Sequence, residues 1–157
     1  MAEPTLTLEE KATNYETMRH IEQVRGLLAF FVVELLERGR QHDQSKLEPP
    51  EVQLCTELTP RLAKCTYGSA EYQGFLKDLK PALTHHYARN RHHPEYHKRG
   101  IRDMNLVDLV EMFCDWKAAS TRHDDGNINK SIEINADRFG MGPELVNILE
   151  NTAKLVG

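Results

Sequence analysis

Asn105-Leu106-Val107-Asp108-Leu109-Val110-Glu111-Met112-Phe113-Cys114-Asp115-Trp116-Lys117-Ala118-Ala119 is the stretch on which the fold class turns. Asn105 is a good N-cap, and Asp108, three positions on, completes a capping box with it. The residues that follow are apolar around most of a helical circumference, which predicts a central, buried helix. Asp115 lies in its last half. A lone carboxylate there would cost several kcal/mol to bury, so a cation, a basic side chain or capping donors must meet it.

Working outward, His123 to Asn127 is turn-rich, Lys130 to Phe139 reads as a short helix, and Pro143 fits the first turn of a last helix ending near Leu155. On the other side, His92 to Arg102 is polar, contains Pro94 and Gly100, and reads as a loop. A helix capped by Ser69 runs to about Arg91, with Pro81 expected to kink or divide it. A shorter one spans about Pro50 to Lys64, after an irregular connection from Gln41. The first helix runs from Leu8, capped by Thr7, to about Arg38, with Gly39 as its stop. Its stripe Ile21, Val24, Leu27, Leu28, Phe31, Leu35 has the period of an amphipathic helix. No strand pattern and no repeat interrupts this order. The expectation is an all-α fold, one domain over residues 1–157.

The 157 residues carry a net charge of −4 with 28% charged and 39% hydrophobic residues, and a mean hydropathy of −0.59 suits a globular chain. Mild acidity argues against a protein that grips long nucleic acid. The longest apolar run, Leu27 to Val33, is too short to span a bilayer, and no signal peptide opens the chain, so no membrane and a cytoplasmic location are expected. Cys55, Cys65 and Cys114 lack zinc-ligand spacing and read as buried thiols in a reducing compartment. The first helix has more apolar surface than one face needs, which leaves room for a homo-oligomer.

Five of the eight histidines, His85, His86, His92, His93 and His97, fall within thirteen residues. His86 and His93 are seven apart, as are His85 and His92. A solvated, histidine-rich loop is the plain alternative to a site. His20 sits on the stripe of the first helix and, alone, reads more readily as a hydrogen-bonded core histidine than as a ligand. His42-Asp43 offers an imidazole and a carboxylate from one turn of backbone. Glu111 and Asp108 share a stripe with Asp115, and their mutual repulsion favours a cation nearby, whether an arginine or a metal.

Taken in order, His20, His42-Asp43 and Asp115 resemble the HD-domain superfamily of metal-dependent phosphohydrolases, in which such a His…His-Asp…Asp set holds a divalent metal inside a helical bundle. The resemblance spans roughly residues 15 to 120 and includes Lys46, which follows the pair in His42-Asp43-Gln44-Ser45-Lys46. Members that bind two metals carry extra histidines between the pair and the last Asp, and Asn90-Arg91-His92-His93-Pro94-Glu95 looks like such a supplement, with Asp43 as a bridge. The Gly-Tyr-Pro stretch of the best-known two-metal members is missing, so their cyclic dinucleotide substrate is not carried over. The same Asn-x-His-His-Pro-Glu stretch and Met104-Asn105-Leu106-Val107-Asp108-Leu109-Val110-Glu111-Met112 are also similar to an uncharacterised phage and bacterial family.

The resemblance implies an HD-type bundle holding one or two divalent transition ions (Zn, Fe, Mn, Co or Ni) on His20, His42, Asp43, His86, His92, His93 and Asp115. It implies metal-assisted hydrolysis of a small phosphorylated substrate, expected to be a nucleotide. Asp43 and Lys46 are expected to serve the reaction most directly, with Lys46, Arg89, Arg91, Lys117 and Arg122 as candidates for phosphate. Glu48, Glu51 and Glu95 are candidates for general acid or base, and Trp116 or Tyr87 for stacking on a base. A di-iron oxygenase on the same ligands, and a non-catalytic nucleotide-binding or interaction protein with a structural metal, are the alternatives.

Overall fold

Capping chemistry sets several element boundaries. In the computed structural model, which describes residues 5–62, 70–121 and 126–156, Thr7 accepts from Glu10 N and Glu10 answers through the Thr7 N–H, opening α1 (Leu8–Gln41). The same reciprocal box between Asn105 and Asp108 opens α4 (Leu106–Ser120). Between them lie α2 (Glu51–Leu62) and α3 (Ala70–Arg89), and after them α5 (Ile128–Phe139) and α6 (Pro143–Leu155). The fold is all-α, with no strand among the described residues.

Some boundaries differ from expectation. Gly39 does not stop α1, which continues to Gln41, because Arg38 and Arg40 engage carboxylates that hold the last turn. Pro81 lies inside α3 without dividing it. The His92 to Arg102 segment is irregular but contains 3-10 turns at Pro94–Tyr96 and Gly100–Asp103. Ser69, Cys65, Arg122 and His123 to Asp125 lie outside the described residues.

The core sits between α4, α5 and α6, where Phe113, Ile128, Ile132, Leu149 and Ala153 are buried and Trp116 packs against them. Trp116 stacks on Phe139 with centroids 6.5 Å apart, so it is a core aromatic. Only one side of α4 meets this core. Leu106, Val110 and Cys114 are exposed, and Asp108, Glu111 and Asp115 form a separate acidic stripe at i, i+3 and i+7. The expectation of a helix buried all round is corrected accordingly, as is that of buried thiols, since Cys114 is exposed and Cys55 half-buried.

The second correction concerns α1. It buries no residue at all, and its packing partner is α4, reached through Arg38 and His42. Its apolar stripe therefore does not face a core of this chain. No described helix is long and apolar enough to cross a membrane.

Candidate metal centre

The centre forms where the end of α1, the end of α3 and the acidic stripe of α4 meet. His42 caps α1, and Asp43 follows in the left-handed region at φ 56°, a conformation that Asp tolerates better than most residues but still at a cost. That turn aims Asp43 back toward α3. Its Oδ1 lies 3.3 Å from His86 Nε2 and 3.6 Å from His92 Nε2, and its Oδ2 lies 3.5 Å from His42 Nε2. Lys46 Nζ, one turn on, is 2.5 Å from the same Oδ2.

Two overlapping groups of ligand atoms result. Asp43, His86, His92 and His93 form one, and His42, Asp43 and Asp115 another; within each group the atoms lie within 4.8 Å of one another. His42, His92 and Glu111 form a third, through the other edges of the rings. Asp43 Oδ1 and His92 Nε2 are buried and have no hydrogen-bond partner. Buried polar atoms are nearly always paired, so two such orphans facing each other across 3.6 Å fit a cation between them.

Carboxylates behind the rings explain their orientation. Glu111 Oε1 accepts from both His42 Nδ1 and His92 Nδ1, each at 2.9 Å. Glu51, almost wholly buried, accepts from His86 Nδ1 at 2.8 Å and from His85 Nδ1 at 2.6 Å. A carboxylate accepts only, so the proton of a neutral ring sits on Nδ1. The Nε2 lone pairs of His42, His86 and His92 are then turned toward Asp43, the arrangement that metal-ligating histidines use. His86 Nε2 and His93 Nε2 are 2.8 Å apart, which brings the fourth ring into the same space.

Electrostatics follow from this crowding. Burial, with His92 and His86 adjacent, pushes His93 down to about 3, so it is a neutral lone-pair donor at neutral pH. Asp115 and Glu111 raise His42 to about 10 against its burial, so without a metal His42 carries the positive charge that the acidic stripe demands. Burial pushes Glu111 up, but His42, His92 and Arg38 outweigh it and hold its carboxyl well below the usual range. Asp43 is lowered in the same way, burial being outweighed by Lys46 and the neighbouring imidazoles.

The surrounding shell is pinned. Arg38 donates to Glu111 Oε2 at 2.8 Å and to Asp108 Oδ1 at 2.6 Å, and Arg91 grips Asp108 through two bonds of 3.1 and 3.0 Å. Asn90 donates to His86 O and Ser45 Oγ, each at 2.8 Å, and His97 donates from Nε2 to the Arg91 carbonyl. The connection carrying His92 and His93 is thereby tied to the end of α3 and to α4.

Six of the seven expected ligands come together: His42, Asp43, His86, His92, His93 and Asp115. His20 does not. It is exposed on α1, and the 22 residues separating it from His42 correspond to roughly 33 Å of helix. The expectation failed because the stripe it lies on has no core of this chain to face. Of the pair His85 and His86, only His86 joins a ligand group.

Among the phosphate candidates, Arg91 is committed to Asp108, Arg89 is exposed at the end of α3, and Lys46 and Lys117 flank the ligand segments. Glu51 supports histidines, Glu95 pairs with Arg138 at 2.6 Å, and Glu48 is exposed, so none has a free carboxylate turned into the centre. Tyr87 packs on the His93 ring at 4.9 Å. Sequence reasoning missed the supporting roles of Glu111, Arg38, Asn90 and Ser45. The shared stripe of Glu111 with Asp115 was the available signal for the first.

Beside the centre, between α1 and α4, lies a cleft of about 470 Å³ walled by Leu35, Val110, Cys114 and Ala118, with His42, Glu111 and Asp115 also lining it. No curated protein and no solved structure matches the chain. Residues 9–155, a span that takes in all of these side chains, match the model of a family of unknown function, DUF5662, and the chain belongs to that family.

Proposed function

We propose that the protein is a metal-dependent phosphohydrolase of the cytosol acting on a nucleotide or a related small phosphoester. The observation that carries this reading is the convergence of Asp43 Oδ1 with the Nε2 atoms of His86, His92 and His93, two of these atoms being buried without a partner. Those four side chains would hold one divalent ion, and His42, Asp43 and Asp115 a second, with Asp43 common to both. Mixed imidazole and carboxylate donors suit Zn, Fe, Mn, Co or Ni. A divalent ion in such a site lowers the pKa of a water molecule and neutralises charge on phosphoryl oxygens.

The chain's own residues supply the rest. Glu111 and Glu51 keep the Nε2 lone pairs directed inward. Lys46, 45% exposed and reaching the centre from its edge, has the flexibility to turn from Asp43 to a substrate phosphate. Leu35, Val110 and Ala118 offer an apolar wall for the organic part of the substrate, next to the ligands rather than above a bare surface. The resemblance to the HD superfamily supports the reading through His42, Asp43 and Asp115, and not through His20.

Elemental analysis of the protein as purified, followed by a screen of nucleoside mono-, di- and triphosphates, tests it. Bound transition metal and phosphate release are expected, and both should disappear in Asp43→Ala. Absence of metal with no uptake of Mn or Co would overturn the reading, as would nucleotide binding without turnover or an iron-specific reaction that consumes oxygen.

A further inference from the structure

We propose that the two ligand groups are unequal: the histidine group holds a resident ion, and the His42, Asp43 and Asp115 group takes a second ion only as that ion displaces the Lys46 ammonium from Asp43. The inference rests on the metal reading above and adds to it an order of occupation.

Spacing alone does not separate the groups. Two donors each about 2.1 Å from a tetrahedral ion stand roughly 3.4 Å apart. Asp43 Oδ1 lies 3.3 Å from His86 Nε2 and 3.6 Å from His92 Nε2. His42 Nε2 lies 3.5 Å from Asp43 Oδ2 and 3.7 Å from Asp115 Oδ1. Either set of atoms can close on an ion with small adjustments. What differs is the surroundings.

The histidine group offers four donors, three of them imidazole nitrogens. They are deeply placed, with the His86 side chain 5% and that of His92 1% exposed. Its share of Asp43 is Oδ1, which, like His92 Nε2, is buried without a hydrogen-bond partner. An ion there satisfies both atoms and takes no partner from either.

The second group offers three donors, and the Asp43 oxygen facing His42 is Oδ2. That oxygen already has a cation, since Lys46 Nζ is 2.5 Å from it. A divalent ion on Oδ2 meets this like charge at close range, besides the charge of the first ion on the same carboxylate. It binds weakly, and only by driving the ammonium off. Lys46 is 45% exposed, and its flexible four-carbon stem lets the head turn away without disturbing the fold. His42 and Asp115, 28% and 24% exposed, line the cleft between α1 and α4, whereas His86, His92 and His93 are not among its walls. The second ion therefore exchanges through the cleft that substrate would use, and its arrival releases Lys46 for a phosphate oxygen. The supply of divalent ion thus regulates readiness for substrate.

Equilibrium dialysis of the full chain against graded free Co²⁺, with bound ions counted per chain by elemental analysis, tests the inference. Two classes are expected, one ion being held at least about tenfold more tightly than the other, as a unit like charge a few ångströms away implies. Lys46→Met should tighten the weaker class about tenfold and move the tighter one by less than about twofold. Lys46→Arg, which keeps the charge, should leave the weaker class weak. Asp115→Asn should lose the weaker class alone, and His93→Ala should weaken the tighter one. Circular dichroism identifies any variant that fails to fold, and the two exposed Lys46 variants decide the matter by themselves. Two equal sites, one ion in both wild type and Lys46→Met, or a weaker class that does not tighten in Lys46→Met would overturn the inference. So would loss of the tighter ion in Asp115→Asn with its retention in His93→Ala. No binding at all would overturn this inference and the proposed function together, whereas two unequal classes without phosphate release would overturn the proposed function alone.

Discussion

Replacing Glu111 with Gln isolates the one group that serves both ligand sets. Its Oε1 accepts from His42 and His92, each at 2.9 Å, and its Oε2 accepts from Arg38 at 2.8 Å. Gln is nearly isosteric but has one oxygen. With the oxygen toward the histidines, its amide N–H groups face the Arg38 guanidinium; reversed, they face two imidazole N–H donors. Either orientation sets donor against donor in a buried place, and neither restores the carboxylate charge. Loss of an outer carboxylate on one ligating histidine typically costs about 10–100-fold in metal affinity, or ~1.4–2.7 kcal/mol. Because two rings depend on Glu111, Glu111→Gln should fall at the upper end, and Glu111→Ala, which frees both rings, should reach roughly the product of two such losses. Competition against a chelator of known affinity reads this directly, with thermal melts of the metal-free proteins as a check on folding. An intact metal-free fold with affinity within twofold of wild type would refute the reasoning.

Further outcomes follow from the same contacts. Glu51→Gln should weaken only the histidine group, through His86, so metal analysis should find partial rather than complete loss. His20→Ala should leave metal content and turnover unchanged; a tenfold fall in either would return His20 to the site. Asp108→Asn removes a fully buried carboxylate from Arg38 and Arg91 and should cost about 3–5 kcal/mol in urea unfolding. Burial pushes the Asp108 carboxyl up, but Arg91, the Asn105 N–H and Arg38 outweigh it and hold it below its ordinary value of 3.8. Its contribution is therefore complete above that value and is lost as pH falls through the lower, folded one, so Asp108→Asn should flatten the acid limb of a stability profile. Asn105→Ala removes one half of the α4 capping box and should cost about 1 kcal/mol in the same unfolding assay.

Local chemistry made the helical order legible. The box at Asn105 and Asp108, Thr7 before α1 and Pro143 in the first turn of α6 are signals read within a few residues, and the structure carries each of them. The pair His42-Asp43 and the histidine cluster were legible as candidate ligands, because imidazole and carboxylate are donor types that a divalent transition ion takes. What failed were inferences about which surface lies opposite a helix face. His20 and the stripe around it have the right period for burial, but periodicity states that a face is apolar and not what covers it. Glu111 was visible as a charge that needed a partner, yet that one oxygen would take protons from His42 and His92, 69 and 19 positions away, depends on how α1, α3 and α4 converge.

By itself, then, the sequence determined that the chain is helical, where most helices begin, and which residue types are available to a metal, since these rest on hydrogen bonds and periods spanning a turn or two. Only the tertiary structure decided that His86 and not His85 joins a ligand group, that Arg91 serves Asp108, that Asp43 stands between two ligand groups, and that no residue of α1 is buried. Each depends on distances between elements far apart in the chain, set by how whole helices pack and beyond the reach of any local pattern.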